Sequence, residues 1–173
     1  MSKLSTYMSE ARGAALPAVV IEKGKQHILD TFAAMISGSQ LPPGRAAIQF
    51  ARAYGGEKVA TVAGSTVLCG PIEAALANGV LAHADETDDS WPGGWHLGCN
   101  VVLAALAAGE QFGISGMQFL RAVALGYDIG TRFIVTLRPG LADTHKSTHS
   151  IGGIFKAAAA ARCATNLNAQ QMR

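Results

Sequence analysis

The sequence predicts an all-α fold, a bundle of about six helices, and three observations support this class. Apolar residues recur at helical spacing in most segments, and short connections with Gly or Pro separate those segments. Alanine, the strongest helix former, supplies much of the 49% apolar content, the chain has 20 glycines besides, and such small residues let helices pack closely. A chain of 173 residues is long enough to bury one core.

The first half of the chain contains two predicted helices and one extended segment. Residues 17–37 form an amphipathic pattern, which Gly38 ends. Two prolines then start a second helix at residues 43–54. Residues 58–68 are rich in β-branched residues and interrupted by glycine, which favours a short extended loop or hairpin.

The second half is predicted to be helical apart from two polar connections. Pro71 suits the first turn of a third helix, which runs directly into an acidic segment. Pro139 opens a polar loop, and the last eight residues look like the cap and first turn of a seventh helix. The fourth, fifth and sixth helices are expected at residues 98–111, 116–137 and 154–165.

Composition excludes several classes of protein. The net charge is only +2 and the basic residues are scattered, so a nucleic-acid partner is not expected. The longest uncharged helical stretch, residues 97–109, is too short to cross a bilayer, so no membrane partner is expected either. The N-terminus has no signal-peptide pattern. We therefore expect a cytoplasmic protein.

The three cysteines point to the same compartment. Cys69, Cys99 and Cys163 are odd in number, widely spaced and not arranged as CxxC. This pattern predicts buried free thiols in a reducing environment, with no disulfide framework.

The segment HADETDDSWPGGWH contains a density of acidic side chains, with histidines and tryptophans beside them, that the rest of the chain lacks. Four of the twelve acidic residues fall within five positions, although neighbouring carboxylates repel one another. An acid/base site would explain this density. Two other readings stay open: a solvated loop that caps the next helix, or a metal site, for which the spacing matches no known motif. The segment contains His83, Asp85, Glu86, Asp88, Asp89, Ser90, Trp91, Trp95 and His96.

Two further features bear on a site. Trp91 and Trp95 would shield the carboxylates from water, or they would simply anchor the loop. His145, Lys146 and His149 lie in a polar stretch before a predicted helix, whose N-terminus would favour a substrate carboxylate. The alternative is an exposed loop with two ordinary histidines.

Several collinear motifs resemble the N-terminal helical domain of the MmgE/PrpD family over nearly the whole chain. PIEAALANGVLAHADETDDSW is similar to the family pattern AAxxNGxxxHxxDxDDT. FLRAVALGYDIGTRF is similar to its GYExxxR helix, and THSIGGIFKAAAAARCATNLNAQQ to its HPTGTxGTFGAAAAAAxLLGL segment. The family includes 2-methylcitrate dehydratase, cis-aconitate decarboxylase and iminodisuccinate epimerase.

The resemblance implies that residues 1–173 are the N-terminal part of such a helical domain, and that the family's α+β second domain is absent from this chain. It implies a lyase, with hydro-lyase activity expected first, or an isomerase. Such an enzyme moves a proton next to a carboxylate of a small di- or tricarboxylate, and it needs no cofactor. A second chain, the remainder of the protein or a homo-oligomer would complete the site. The alternative is a non-catalytic helical assembly or regulatory subunit.

The resemblance also assigns roles residue by residue. Glu86 replaces a family Asp and Ser90 replaces a family Thr, which suggests a substrate of different length. The family's later histidine aligns with Ser147 when no gap is allowed, and His149 is preferred over His145 for its role. No metal is implied. The expected catalytic residues are Glu86, His96 and His149, and the expected substrate-binding residues are Asp88, Asp89, Ser90 and Lys146.

Overall fold

A computed structural model describes residues 2–91, 95–141 and 148–173, with the backbone alone described at 137–141 and 148–151. In these ranges the chain forms seven helices and two short antiparallel hairpins, which confirms the all-α class. The elements are α1 Ser2–Ala11, α2 Ala18–Gly38, α3 Pro42–Tyr54, β1 Ala60–Thr61, β2 Leu68–Cys69, α4 Pro71–His83, β3 Ser90–Trp91, β4 Trp95–His96, α5 Gly98–Phe112, α6 Gly116–Leu141 and α7 Thr148–Ala164.

The core is built around α5 and α7. The most extensive helix contacts join α6 to α7, α5 to α7 and α4 to α5. Val101, Val102 and Leu103 of α5 are almost completely buried, as is Ala160 of α7. Gly126 of α6 lies so close to α5 and α7 that an added Cβ would come within 2.5 Å of the Val101 side chain. Small residues therefore set the helix spacing, as the composition indicated.

The β1–β2 hairpin confirms the extended segment between the second and third helices. Ala60 pairs with Cys69 and Thr61 with Leu68. Asn78, buried on α4, donates through Nδ2 to the Thr61 carbonyl and accepts through Oδ1 from the Ala63 amide, both at 2.8 Å. The hairpin is therefore fixed to α4. The three cysteines are buried and free, as predicted.

The helix bounds differ from the prediction in three places. Helix α1 was not predicted, although Leu4, Tyr7, Met8 and Ala11 recur in it at helical spacing. Helix α6 continues past Pro139 to Leu141, and α7 begins at Thr148, six residues before the predicted start. A glycine pair suggested a break there, but Gly152 is inside the helix, where its missing side chain brings α7 close to Trp95.

The last residues form one capped turn and no assigned helix. Asn168 Oδ1 accepts from the amides of Gln170 and Gln171, at 3.0 Å each, as an N-cap does. Among the described helices, none combines the length and the apolarity required to cross a membrane.

Candidate active site

The acidic segment is a folded loop, not a continuation of α4. Helix α4 ends at His83, and Glu86 takes a left-handed φ of 55°. The Asp85 carboxylate accepts from Thr87 Oγ1 at 2.7 Å and from Ser37 Oγ at 2.9 Å, and these two bonds lower the pKa of Asp85. Ser90 and Trp91 then pair with His96 and Trp95 across the β3–β4 hairpin. The hairpin returns His96 to the end of α4, beside His83.

Asp88 lies at the centre of this arrangement. Its side chain is completely buried, and Oδ1 is 3.1 Å from Nδ1 of His83 and 3.1 Å from Nδ1 of His96. The two imidazole rings meet edge to face with centroids 4.8 Å apart. Asp88 Oδ2 is buried and has no hydrogen-bond partner among the described residues. His83 Nδ1 is hydrogen-bonded to Oδ1, whereas His96 Nδ1 is hydrogen-bonded to the Asp88 backbone carbonyl at 3.2 Å and has Oδ1 as an ion-pair contact.

The geometry at Asp88 favours one tautomer of each ring. A neutral histidine that donates its Nδ1 proton to a carboxylate has an unprotonated Nε2, which can act as a base. His83 is 39% exposed and His96 15% exposed, so His96 is the more enclosed of the two groups.

Asp89 contacts three helices. Its Oδ1 accepts from the Gly98 amide at the start of α5 at 2.7 Å, and its Oδ2 accepts from the Tyr127 hydroxyl of α6 at 2.6 Å. Oδ2 also lies 3.0 Å from Nδ1 of His27 on α2. Burial, followed by the negative charge of Asp89, raises the pKa of Tyr127, which keeps that hydroxyl a donor. Asp89 therefore joins α2, α5 and α6 at one point.

Lys156 brings a buried cation to the same region. It is 2% exposed on α7, and its Nζ donates to the backbone carbonyl of His96. Burial lowers the pKa of Lys156, and the charges of Asp89 and Asp88 oppose that shift. Buried ions need compensating charges and hydrogen bonds, which the two aspartates and the His96 carbonyl supply here.

Sequence reasoning missed Lys156 and Tyr127, although each left a signal. Lys156 is the single charged residue between Ile151 and Arg162, inside an alanine-rich helix that packs in the core. A lone charge on an apolar helix is a candidate for a buried functional group. Tyr127 lies in the GYDIG stretch that carried part of the family resemblance.

The structure brings together part of the predicted residue set. Asp88, Asp89 and His96 lie together, whereas Glu86 and Ser90 are exposed on the loop and on β3. Lys146 and His145 are outside the described residues. His149 lies in the first turn of α7, at a position described only by its backbone.

The tryptophans and Cys99 define the apolar side of the site. Trp95 is 6% exposed and shields the hairpin as expected, while Trp91 is 39% exposed and leaves its own side open to solvent. Burial and the neighbouring charge of Asp88 raise the pKa of Cys99 to about 12. Cys99 is therefore a thiol at neutral pH, which argues against a role as nucleophile.

The chain matches the model of a known protein family and is similar to curated proteins of two organisms. The model of the MmgE/PrpD N-terminal domain matches residues 2–173. A cis-aconitate decarboxylase-like protein of Aspergillus oryzae is 28% identical over 174 residues, which cover 96% of this chain and 36% of that protein. The cis-aconitate decarboxylase of Homo sapiens is 31% identical over 163 residues, covering 89% and 33% of the two chains. The chain therefore spans about a third of the length of these curated relatives.

Proposed function

The chain belongs to the MmgE/PrpD family, and we propose that it supplies the helical half of an active site that acts on a small di- or tricarboxylate as a lyase or isomerase. The observation that carries the proposal is the pair of imidazoles held by the buried Asp88 carboxylate. Two matched relatives carry the name of cis-aconitate decarboxylase or a protein like it, which supports a lyase.

In this proposal His96 is the acid/base group. Acting as a base, Nε2 takes a proton from the carbon next to a substrate carboxylate, and the C–H electron pair moves into that carboxylate. Water leaves from the neighbouring carbon in a dehydration, or a proton returns to the opposite face in an epimerisation. In a decarboxylation, the protonated ring instead delivers a proton to the carbon that loses CO₂. A positioned histidine typically contributes about 10²–10⁴-fold to such a step.

Asp88 then acts through His96 and not by binding substrate. Its side chain is fully buried, so a substrate reaches the histidines before it reaches this carboxylate. The His96 Nδ1 atom is hydrogen-bonded to the Asp88 backbone carbonyl at 3.2 Å, which orients the ring. The Asp88 carboxylate, 3.1 Å from the same nitrogen, stabilises the imidazolium that forms when Nε2 takes a proton. The Lys156 bond to the His96 carbonyl fixes the backbone of the same residue.

Ser90 and Lys146 keep their proposed substrate-binding role, and Glu86 and His149, which were predicted as catalytic, are proposed to contact the substrate as well. Glu86 and Ser90 lie on the exposed side of the loop, where a bound acid could reach them. His149, in the first turn of α7, lies where helix amide groups and the helix dipole favour a carboxylate. Lys146 is proposed to pair with a second carboxylate.

Completion of the site requires residues beyond those described. The acidic loop is negatively charged, and a polycarboxylate needs cations opposite it. We propose that a second chain, the remainder of a longer protein or another copy supplies them. The matched relatives are about three times as long as this chain, which is consistent with that requirement.

The test is the rate of the completed enzyme with cis-aconitate and with 2-methylcitrate as probe substrates. His96→Ala should lower kcat by about 10²–10⁴-fold while the circular dichroism spectrum is unchanged. His27→Ala is the matched control, because His27 also bonds an aspartate but lies on the Asp89 side. A His96→Ala enzyme with near-normal kcat would defeat the proposal and favour the non-catalytic module.

A further inference from the structure

We propose that His83, Asp88 and His96 form a binding site for a divalent transition-metal ion of the Zn²⁺ type, and that the bound ion inhibits the enzyme. One ligand atom from each of the three residues lies within 4.8 Å of the other two. The binding half of the proposal stands on this geometry alone. The inhibition half rests on the proposed function of His96.

The distances suit a small ion. Zinc binds histidine nitrogen and carboxylate oxygen at about 2.0–2.2 Å in a tetrahedral shell, which places ligand atoms about 3.3–3.6 Å apart. Asp88 Oδ1 is already 3.1 Å from each histidine Nδ1, so two of the three edges need to open by only a few tenths of an ångström. The third edge, between the rings, is at most 4.8 Å and closes by a small rotation of the exposed His83 ring.

The buried carboxylate gives a second, independent reason. Asp88 Oδ2 has no hydrogen-bond partner in the described parts of the chain, and a buried polar atom in that state is costly. A cation bound at Oδ1 would neutralise the charge of this buried carboxylate, whose other oxygen has no hydrogen bond from the described residues to offset its burial. Two imidazoles and one carboxylate are a known ligand set for zinc with an open fourth position, and imidazole favours zinc, copper or nickel over calcium and magnesium.

The site is accessible from solvent. The His83 side chain is 39% exposed at the end of α4. A cavity of about 560 Å³ lies beside it between α4, α5 and α7, lined in part by Gly79, Val80 and Asn100. An ion can therefore reach Asp88 without unfolding of the loop.

Metal binding and base catalysis by His96 exclude each other. When Nδ1 of a neutral ring donates its lone pair to a metal, the ring proton is on Nε2. Nε2 then has no lone pair in the ring plane to take a substrate proton. The ion would therefore inhibit by changing the tautomer of His96, in addition to any steric effect.

The binding test is calorimetric titration of the purified protein with Zn²⁺. We expect one ion per chain, with the Kd raised at least tenfold by His83→Ala and by His83→Gln. His27→Ala, a histidine with an equivalent bond to Asp89, should leave the Kd unchanged. The absence of stoichiometric binding to the parent protein would overturn the site, and so would His83 variants that bind Zn²⁺ as tightly as the parent.

The inhibition test uses the completed enzyme. Zn²⁺ should inhibit reversibly, a chelator should restore the rate, and His83→Ala should require at least tenfold more Zn²⁺ for the same inhibition. A Zn²⁺-loaded enzyme with full activity would refute inhibition and leave the binding site standing. Failure of the proposed function is seen separately, as a metal-free His96→Ala enzyme that is still active.

Discussion

Asp88 and Asp89 are neighbours of the same residue type, yet their hydrogen-bond partners differ. Each lies beside histidine, but both oxygens of Asp89 also accept hydrogen bonds from groups that belong to the fold, the Gly98 amide and the Tyr127 hydroxyl. One oxygen of Asp88 holds two titratable rings, and the other has no partner in the described structure. Asp89 is therefore suited to a structural role, and its direct neighbour Asp88 to a chemical one.

This difference shows how the loop combines two tasks. Asp89 provides the negative charge that favours a helix N-terminus and connects three helices, so its contribution is to stability. Asp88 has a buried oxygen without a hydrogen bond from any described residue, which destabilises the fold and is not expected of a purely structural residue. Buried polar atoms without a hydrogen-bond partner are expected at functional sites.

Removal of the Asp88 charge should give the largest effect, and it should fall on the rate. Asp88→Asn is nearly isosteric, but its amide has no negative charge to stabilise an imidazolium. We expect kcat of the completed enzyme to fall by about 10³–10⁴-fold, because the His96 ring loses its neighbouring anion. Steady-state kinetics should show the loss in kcat with little change in KM. A fall in kcat of less than tenfold would contradict the proposed difference in role between Asp88 and Asp89.

Removal of the Asp89 side chain should act on stability instead. Asp89→Ala leaves the Gly98 amide and the Tyr127 hydroxyl without their acceptor, and we expect a loss of about 3–5 kcal/mol in the free energy of unfolding. Urea denaturation measures this value. Asp85→Ala is the control within the same loop: Asp85 is exposed, and its loss should cost about 0.5 kcal/mol. Equal losses for the two variants would contradict the structural role of Asp89.

Tyr127→Phe isolates one contact of Asp89. The hydroxyl donates to a largely buried carboxylate at 2.6 Å, and a hydrogen bond to a charged group contributes about 1.5–3 kcal/mol. The variant should lower the free energy of unfolding, measured by urea denaturation, by that amount without altering the ring packing. In an Asp89→Ala background the same substitution should cost much less, and additive losses would show that the two groups do not interact.

The smallest expected effect is at Glu86, outside both carboxylate networks. Its φ of 55° is unfavourable for a residue with a side chain, and glycine would remove about 1 kcal/mol of strain. The greater freedom of glycine in the unfolded chain offsets part of this gain, so Glu86→Gly should stabilise by about 0.5 kcal/mol. Thermal unfolding can detect this gain, whereas a clear destabilisation would indicate an unrecognised contact of Glu86.

The fold was largely predictable because helical periodicity and Gly or Pro boundaries are local signals. The second, third and fourth helices of the bundle begin and end within one or two residues of the prediction. The errors arise where packing overrides a local signal. The glycine pair at 152–153 suggested a break, yet both glycines are inside α7, where Gly153 faces Asn100 of α5.

The sequence by itself determined the helical class, the three free thiols, and the place of the candidate site between α4 and α5, since these depend on periodicity, composition and clustering along the chain. Only the tertiary structure decided which of the two carboxylates, Asp88 or Asp89, is suited to a structural role and which to a chemical one. The donor to Asp89 is 38 residues away at Tyr127, and the cation on the His96 carbonyl is 60 residues away at Lys156. The reason is physical: burial and hydrogen-bond partners depend on which helices pack together, and no local pattern around Asp88 and Asp89 contains that information.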